Sequence, residues 1–251
     1  MKLQGKVVII TGGARGLGKA YALHLAKEGA RIVAADIVDG VEVAEEIKKK
    51  GGDAIAVITD VSKEESVETM ARTAVERFGR IDVLINNAAL FTALGKKPFH
   101  QITVEEWDRV QAVNVRGTFL CCKAVYPQMK KQGKGKIINI SSATFHQGTP
   151  YFIHYVTSKG GIVGFTRSLA RELGDDNICV NAIAPGLTVS ESVQGSEMYP
   201  ETALKVVAGM RCFKRDETPE DLLGMALFLA SDDSDFVTGQ TYIVDGGVVF
   251  G

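Results

Sequence analysis

Short apolar runs alternate with longer amphipathic stretches along almost the whole chain. The runs KVVIIT at 6–11 and RIVAAD at 31–36 are too apolar for strands with one face in solvent. Runs of this kind predict strands of a parallel sheet that helices cover on both faces. We therefore expect an α/β fold in which each strand is followed by a helix.

The same alternation continues to the end of the sequence. Strands are predicted at 6–11, 31–36, 53–59, 81–86, 136–142, 178–184 and 241–245. Helices are predicted at 16–29, 41–50, 63–78, 104–114 with a continuation to about 131, 151–173 and 220–230. Seven such strands predict a single domain, 1–251, built on a doubly wound, Rossmann-type parallel sheet. Residues 187–215 interrupt the alternation beyond a strand end, where a small substrate lid is expected.

Composition excludes several classes of partner. The chain has 251 residues and a formal net charge of −1, from 29 basic and 30 acidic residues, which favours neither nucleic acid nor an anionic membrane surface. The four cysteines form no C-x-x-C pattern, so neither a metal site nor a disulfide framework is indicated. No apolar run suits a signal peptide or a membrane span. We expect a cytoplasmic protein.

A glycine-rich segment follows the first predicted strand. Thr11–Gly18 reads TGGARGLG, and glycines at such a turn let backbone N–H groups approach a pyrophosphate at a helix N-terminus. Asp36 closes the second strand, 20 residues after Gly16, where a carboxylate can bind the hydroxyls of an adenosine ribose. A tight turn and a capping aspartate are the structural alternatives. Arg15 favours a 2′-phosphate instead, but we expect Asp36 to repel it.

Three further residues suggest acid–base chemistry. Tyr155 and Lys159, in the sequence YVTSK, are four residues apart and share one helix face. A phenol ordinarily titrates near ~10, and a neighbouring ammonium lowers its pKa. Ser142, 13 residues before Tyr155, ends a predicted strand, where its hydroxyl could hold a carbonyl oxygen. An exposed helix face and a helix-capping serine are the alternatives.

Taken together and in order, these motifs resemble the short-chain dehydrogenase/reductase family over essentially the whole chain. The matching segments are TGGARGLG, Asp60–Val61, NNAA at Asn86–Ala89, Asn114, Ser142, YVTSK and NAIAPG at Asn181–Gly186. The resemblance implies an NAD(P)-dependent transfer of hydride between an alcohol and a carbonyl compound. It also implies a homo-oligomer, which we expect to be a homotetramer.

The resemblance assigns roles by position. Tyr155 matches the general acid/base, and Lys159 matches the residue that lowers its pKa and holds the nicotinamide ribose. Ser142 matches the serine that orients the carbonyl, and Asn114 the asparagine that bends a helix and holds a water. The implied cofactor contacts are Gly12, Arg15, Gly16, Leu17, Gly18, Asp36, Ile37, Asp60, Val61, Asn87, Ala88, Tyr155, Lys159, Pro185, Gly186, Thr188 and Ser190.

Two positions depart from the family pattern. Ala89 replaces the usual glycine of NNAG, which adds a methyl group beside the cofactor. Ser190 stands five residues after Pro185, where threonine is common in the family. The contact with the nicotinamide carboxamide can therefore fall to Ser190, Thr188 or both.

Asp36 predicts that the cofactor is NAD rather than NADP.

The sequence constrains the identity of the substrate less than it constrains the fold or the cofactor. The expected substrate contacts are Ser142, Thr144, Phe145, Tyr151 and Tyr155, with Phe152, Met198, Met210 and Phe213 as further apolar candidates. The sequence around YVTSK resembles enzymes that oxidise secondary alcohols, including aryl and alicyclic ones. A 3-oxoacyl thioester reductase using NADPH is the alternative, and a non-catalytic nucleotide-binding scaffold is a third reading.

Overall fold

A seven-stranded parallel sheet forms the centre of the computed structural model, which describes residues 1–194, 196 and 198–250. The strands are β1 Val7–Thr11, β2 Arg31–Asp36, β3 Asp53–Ile58, β4 Val83–Asn86, β5 Gly135–Ile140, β6 Ile178–Pro185 and β7 Thr241–Val244. Their order in the sheet is β3-β2-β1-β4-β5-β6-β7. This confirms the predicted doubly wound α/β fold.

Helices cover both faces of the sheet. They are α1 Gly16–Lys27, α2 Val41–Lys49, α3 Glu64–Phe78, α4 Val104–Gln111, α5 Gly117–Gln132, α6 Ala143–Gln147, α7 Ile153–Glu172, α8 Glu201–Met210 and α9 Glu220–Ala230. One π-helical turn, Ala112–Arg116, joins α4 to α5. None of the described helices is long and apolar enough to cross a membrane.

Strand β1 shows why the strands are continuously apolar. Val7 and Ile9 pack into the core against α3 and α5, whereas Val8 and Ile10 pack into the core against α1, α2 and α9. Successive side chains of a strand point to opposite faces, so both sets are buried. The order of the strands reverses between β1 and β4, and ligands of such sheets bind outside the carboxyl ends at that point.

Three local features differ from the sequence predictions. Strand β5 ends at Ile140, so Ser142 does not lie in a strand but caps the short helix α6. The segment 187–215, called the lid below, is not irregular throughout because it contains helix α8. The predicted continuous helix from 104 is interrupted by the π turn. Gly195 and Glu197, within the lid, lie outside the described residues.

Candidate active site

A cleft of about 450 Å³ opens at the carboxyl edge of the sheet. The sequence-predicted residues that line it are Gly12, Arg15, Gly16, Leu17, Asp36, Ile37, Asp60, Val61, Asn87, Ala88, Ser142, Thr144, Tyr155, Lys159, Pro185, Gly186, Thr188 and Ser190. Four other predicted residues, Gly18, Asn114, Phe145 and Tyr151, are not among its lining residues. The fold therefore brings almost the whole predicted set into one cavity.

The glycine turn after β1 is held by the end of β4. Gly12 has a φ of +65°, and a Cβ built on it would lie 2.9 Å from the amide nitrogen of Asn87. That amide donates hydrogen bonds to the carbonyl oxygens of Thr11 and Gly12, at 3.0 and 3.1 Å. Gly18 packs so tightly against the carbonyl of Gly12 that no side chain fits there. Glycine is thus needed at both positions for the turn to close.

Asp36 is buried at the end of β2, beside the glycine turn. One carboxylate oxygen accepts from the backbone N–H of Ala14 at 3.0 Å, and the other accepts from that of Val38 at 3.3 Å. These two bonds fix the carboxylate at the wall of the cleft. Each oxygen retains a lone pair, so the group can still accept from hydroxyl groups of a ligand.

Lys159 lies one turn of α7 beyond Tyr155. Its ammonium donates to the carbonyl oxygen of Ile140 at 2.7 Å and lies 5.5 Å from the centre of the Tyr155 ring. Burial lowers the pKa of Lys159 to about 8. Burial also raises the pKa of Tyr155, an effect that hydrogen bonding with Ser142 opposes. The expected lowering of the phenol's pKa by Lys159 is therefore not seen in this structure, and the Tyr155 phenol carries its proton at neutral pH.

Ser142 is positioned by its neighbour in α6. Its hydroxyl oxygen accepts from the backbone N–H of Thr144 at 3.2 Å and from the Thr144 hydroxyl at 2.9 Å. Because both of these bonds are accepted, the Ser142 hydroxyl keeps one proton to donate on the cleft side, where its partner in this structure is the Tyr155 phenol. The capping reading of this serine and the carbonyl-orienting reading are thus compatible.

Asn114 lies in the π turn and supports the site from behind. Its side-chain oxygen accepts from the backbone N–H of Leu90 at 2.8 Å, and its amide donates to the Ser158 hydroxyl at 3.0 Å. Ser158 in turn donates to the carbonyl oxygen of Tyr155 at 2.7 Å. This chain connects the segment after β4 to the first turn of α7.

The expected aromatic contacts Phe145 and Tyr151 point elsewhere. Their exposed fractions are 40% and 61%, and neither lines the cleft. Their places beside Tyr155 are taken by an aromatic wall, defined here as Phe91, Phe152 and Tyr199. The ring centres of Phe91 and Phe152 lie 5.2 and 4.8 Å from that of Tyr155, and Phe91 stacks on Tyr199 at 5.7 Å.

Met210 of the lid and Lys96, which lies outside it, also line the cleft. Met210 lines it as expected, whereas Met198 and Phe213 do not. Lys96 also lines it, with its ammonium 5.3 Å from the centre of the Tyr199 ring. Neither Phe91 nor Tyr199 was among the residues named from the sequence. Both lie in segments expected to form the pocket walls, because Phe91 is the second residue after NNAA, within 90–97, and Tyr199 is in the lid.

Comparison with known proteins identifies the family. A family model described as enoyl-(acyl carrier protein) reductase matches residues 12–249. The glucose 1-dehydrogenase 2 of Bacillus subtilis (strain 168) is 40% identical to this chain, over 98% of this chain and 95% of its own length. This chain belongs to the short-chain dehydrogenase/reductase family. The probable galactose dehydrogenase GalD of Rhizobium meliloti (strain 1021) is 39% identical, over 98% of this chain and 96% of its own.

Two more matches are a relative named as a reductase and a solved structure named as a dehydrogenase. The 3-oxoacyl-[acyl-carrier-protein] reductase FabG of Thermotoga maritima is 38% identical over 99% of this chain and all of its own length. A crystal structure from Sinorhizobium meliloti 1021, provisionally named a short-chain alcohol dehydrogenase, matches with a TM-score of 0.92 and 32% identity. That match covers 98% of this chain and 97% of the other.

Membership makes the protein an oxidoreductase of the short-chain dehydrogenase/reductase family, which uses NAD or NADP. The described residues fit such a dinucleotide. Gly12 and Gly18 admit no Cβ, which keeps the turn close to β4 and leads it into the N-terminus of α1. None of the described side chains caps that N-terminus, so its backbone N–H groups can bind a pyrophosphate. Asp36 stands fixed in the same wall. Within the described part of the chain, no cluster of His, Cys, Asp or Glu could hold a metal ion.

Proposed function

We propose that this protein is an NAD-dependent dehydrogenase of secondary alcohols, interconverting them with ketones, and that its substrate is apolar, aryl or alicyclic. One observation supports this most directly. The Tyr155 phenol lies in a cleft with the aromatic wall on one side and the Ser142 hydroxyl and Lys159 ammonium on the other. An apolar ring can pack on such a wall while its oxygen meets two proton-donating groups.

In the direction of ketone reduction, Tyr155 gives its proton to the substrate oxygen. Ser142 donates a hydrogen bond to the same oxygen and orients it, with its own oxygen held by Thr144. When bound, a nicotinamide cofactor would supply the hydride for ketone reduction or accept it in alcohol oxidation. Lys159 carries positive charge near the phenol, which favours the phenolate once the proton has left. Asn114 holds α7 in place through Ser158.

We assign the adenosine half of the cofactor to the β1–β4 end of the cleft. Its nicotinamide half would lie by Tyr155, Lys159 and the turn that follows β6, as the family resemblance implies. Asp36 would bind the hydroxyls of the adenosine ribose, so we expect NAD rather than NADP. A 2′-phosphate would lie close to this carboxylate, and like charges at ~4 Å in an effective dielectric of about 20 repel by roughly 4 kcal/mol before relaxation. Ile37, the next residue, offers no cation, while Arg15 offsets part of the repulsion.

A 3-oxoacyl thioester reductase using NADPH is the second candidate. The FabG relative supports it, and so does Lys96, a cation at the substrate end of the cleft that could meet an anionic carrier group. The sugar dehydrogenase names among the relatives support oxidation of a hydroxyl on a ring, and a sugar is the polar alternative to the apolar ring proposed here, since its C–H face can also pack on an aromatic wall.

We further propose a homotetramer of single-domain subunits. Val104, Phe119 and Ile153 are apolar and exposed on α4, α5 and α7, and Phe250 is exposed near the carboxyl end. Burying such side chains between copies of the chain is favourable. Light scattering across a dilution series should give about four times the monomer mass of 27.0 kDa. A mass that stays at the monomer value would contradict this.

Steady-state kinetics test the proposed reaction. The enzyme is assayed with NAD and NADP against secondary aryl, alicyclic and sugar alcohols, and with NADH and NADPH against ketones and 3-oxoacyl thioesters. We expect the highest kcat/KM for an apolar cyclic alcohol with NAD. A higher kcat/KM for a 3-oxoacyl thioester with NADPH would replace this proposal with the second candidate.

A further inference from the structure

A buried carboxyl group lies directly behind the turn that follows β6. Glu217 comes just before α9 and has an exposed fraction of 4%. Its backbone carbonyl accepts from the N–H of Val189 at 2.7 Å, so the two segments are paired. One carboxyl oxygen, Oε1, accepts from the Thr188 hydroxyl at 2.7 Å. The other, Oε2, faces the Cα of Gly186 and has no hydrogen-bond partner among the described residues.

The bond to Thr188 determines what the threonine can offer to the cleft. A hydroxyl has one proton and two lone pairs, and the proton of Thr188 is donated to Glu217. As long as that bond holds, Thr188 can only accept hydrogen bonds from the cleft side. An amide NH2 group is a donor that needs such an acceptor.

Charged groups from several elements face Glu217. The guanidinium of Arg211 lies 3.7 Å from Oε2 of Glu217. The carboxylates of Asp245, after β7, and Asp221, at the start of α9, raise the pKa of Glu217 by charge repulsion. Arg215 lies farther out, and the phenol of Tyr21 on α1 is buried without a partner among the described residues. Burial outweighs Arg211 and raises the pKa of Glu217 to about 7.

We propose that Glu217 is a positioning residue that fixes Thr188 as an acceptor for the carboxamide of the nicotinamide, and that its ionisation makes cofactor affinity depend on pH. This rests on the proposed cofactor site. The ionised carboxylate holds the Thr188 proton firmly, because hydrogen bonds to charged groups are about twice as strong as neutral ones. The protonated form holds it weakly, so the hydroxyl can rotate and the acceptor is lost.

The sign of the effect follows from the two states. A cofactor that prefers ionised Glu217 lowers the pKa of this group on binding, so affinity falls as pH falls through 7. With a tenfold preference, the Kd for NADH should be about fourfold higher at pH 6 than at pH 7.5, and binding at pH 6.5 should release about half a proton. Lys159 loses charge near pH 8, which acts in the opposite direction and above this window.

Two measurements on purified protein test this. NADH fluorescence titration gives Kd between pH 5.5 and 7.5, and calorimetry in two buffers of different ionisation enthalpy gives the number of protons released. In Glu217→Gln, we expect the weaker Kd at every pH and no proton release. Thr188→Val should also lose the pH dependence, although Glu217 is intact. Glu220→Gln, the same change at an exposed position in α9, should match the unmodified protein.

Each other outcome counts against the inference. Proton release that persists in either Glu217→Gln or Thr188→Val overturns it, because the titrating group is then another one or acts by another route. A fall in the melting temperature of Glu217→Gln with an unchanged pH profile also overturns it and leaves Glu217 as a counter-ion of Arg211. If the unmodified protein binds neither NADH nor NADPH, the proposed function itself fails, and this inference fails with it.

Discussion

The two ends of the cleft hold their polar groups by different means. At the β1–β4 end, Asn87 and Asp36 bond directly to backbone groups of neighbouring strand ends and of the glycine turn. At the lid end the chain has left the sheet, and the guanidinium of Arg211, with an exposed fraction of 2%, donates to the carbonyl oxygens of Leu187, Arg215 and Asp245. Where ladder hydrogen bonds are missing, one buried cation connects three separate segments.

The largest effect is expected where the two ends meet. Tyr155→Phe removes the proton but not the ring, so kcat should fall by about 10²–10⁴-fold. The Kd for NADH should stay within about twofold, because the aromatic wall and the β1–β4 end are unchanged. Stopped-flow kinetics measure the turnover rate, and fluorescence titration measures the Kd for NADH.

Tyr151→Phe is the matched control. The same atom is removed from a residue that does not line the cleft, so both kcat and Kd should be retained. If Tyr155→Phe kept most of its kcat, the proposed proton transfer would be wrong.

The lid should depend on its buried cation. Arg211→Met deprives three carbonyl oxygens of their donor and leaves Glu217 without its nearest positive charge, which should cost about 3 kcal/mol of unfolding free energy. Urea denaturation gives this value, and hydrogen exchange should show the loss concentrated in 187–215.

Arg215→Met provides the comparison for this loss. Arg215 is exposed and its pair with Asp221 is a surface one, so the change should leave the free energy of unfolding close to that of the unmodified protein. Equal losses in the two variants would show that the buried guanidinium of Arg211 stabilises the protein no more than an exposed one does.

A smaller change is expected at the other end. Asp36→Ser removes the charge that opposes a 2′-phosphate while Arg15 remains, so the ratio of kcat/KM for NAD over NADP should fall by about tenfold or more. Asp39→Ser alters an exposed carboxylate in the next loop and should leave the ratio unchanged. Comparable kcat/KM for NAD and NADP in the unmodified protein would show that Arg15 outweighs Asp36.

The smallest effect concerns a residue that the sequence placed in the substrate pocket. Phe145→Ala should leave KM within about twofold and cost about 1 kcal/mol, since the ring is partly exposed and packs near Gly160. Phe152→Ala, a wall residue that is fully buried, should cost about 3 kcal/mol and raise KM. An equal rise in KM for both variants would restore Phe145 to the substrate site.

Local patterns predicted most of the strands and the cleft because parallel strands impose strong rules. A strand buried on both faces must be apolar throughout, as β1 is, and its carboxyl end must meet the ends of its neighbours. Glycines that admit no Cβ and an acid at the end of β2 are equally local signals.

The lid and its charges could not be predicted in this way. None of the residues of α8 is buried, so this helix lacks the core contacts that the other helices make. Arg211 and Glu217 lie at the end of the lid and just after it, and they meet Asp245, which is 34 residues beyond Arg211. Nothing local marks any of the three. Phe145 and Phe152 have the same chemistry, and only the turn between α6 and α7 determines which of them faces Tyr155.

Helix α4, the π turn at Ala112–Arg116 and helix α5 follow one another without a break, and the π turn makes the number of residues between α4 and α5 as important as their identity. Such a turn bonds residue i to i+5 and so contains one residue more than an α-helical turn. Deleting a residue there would restore a regular helix but rotate α5 by ~100° relative to α4. Either the buried side chains of α5 would leave the core, or Asn114 would turn away from Leu90. This stretch should therefore accept no insertion or deletion, and it should accept exchanges of residue type only where Asn114 is kept.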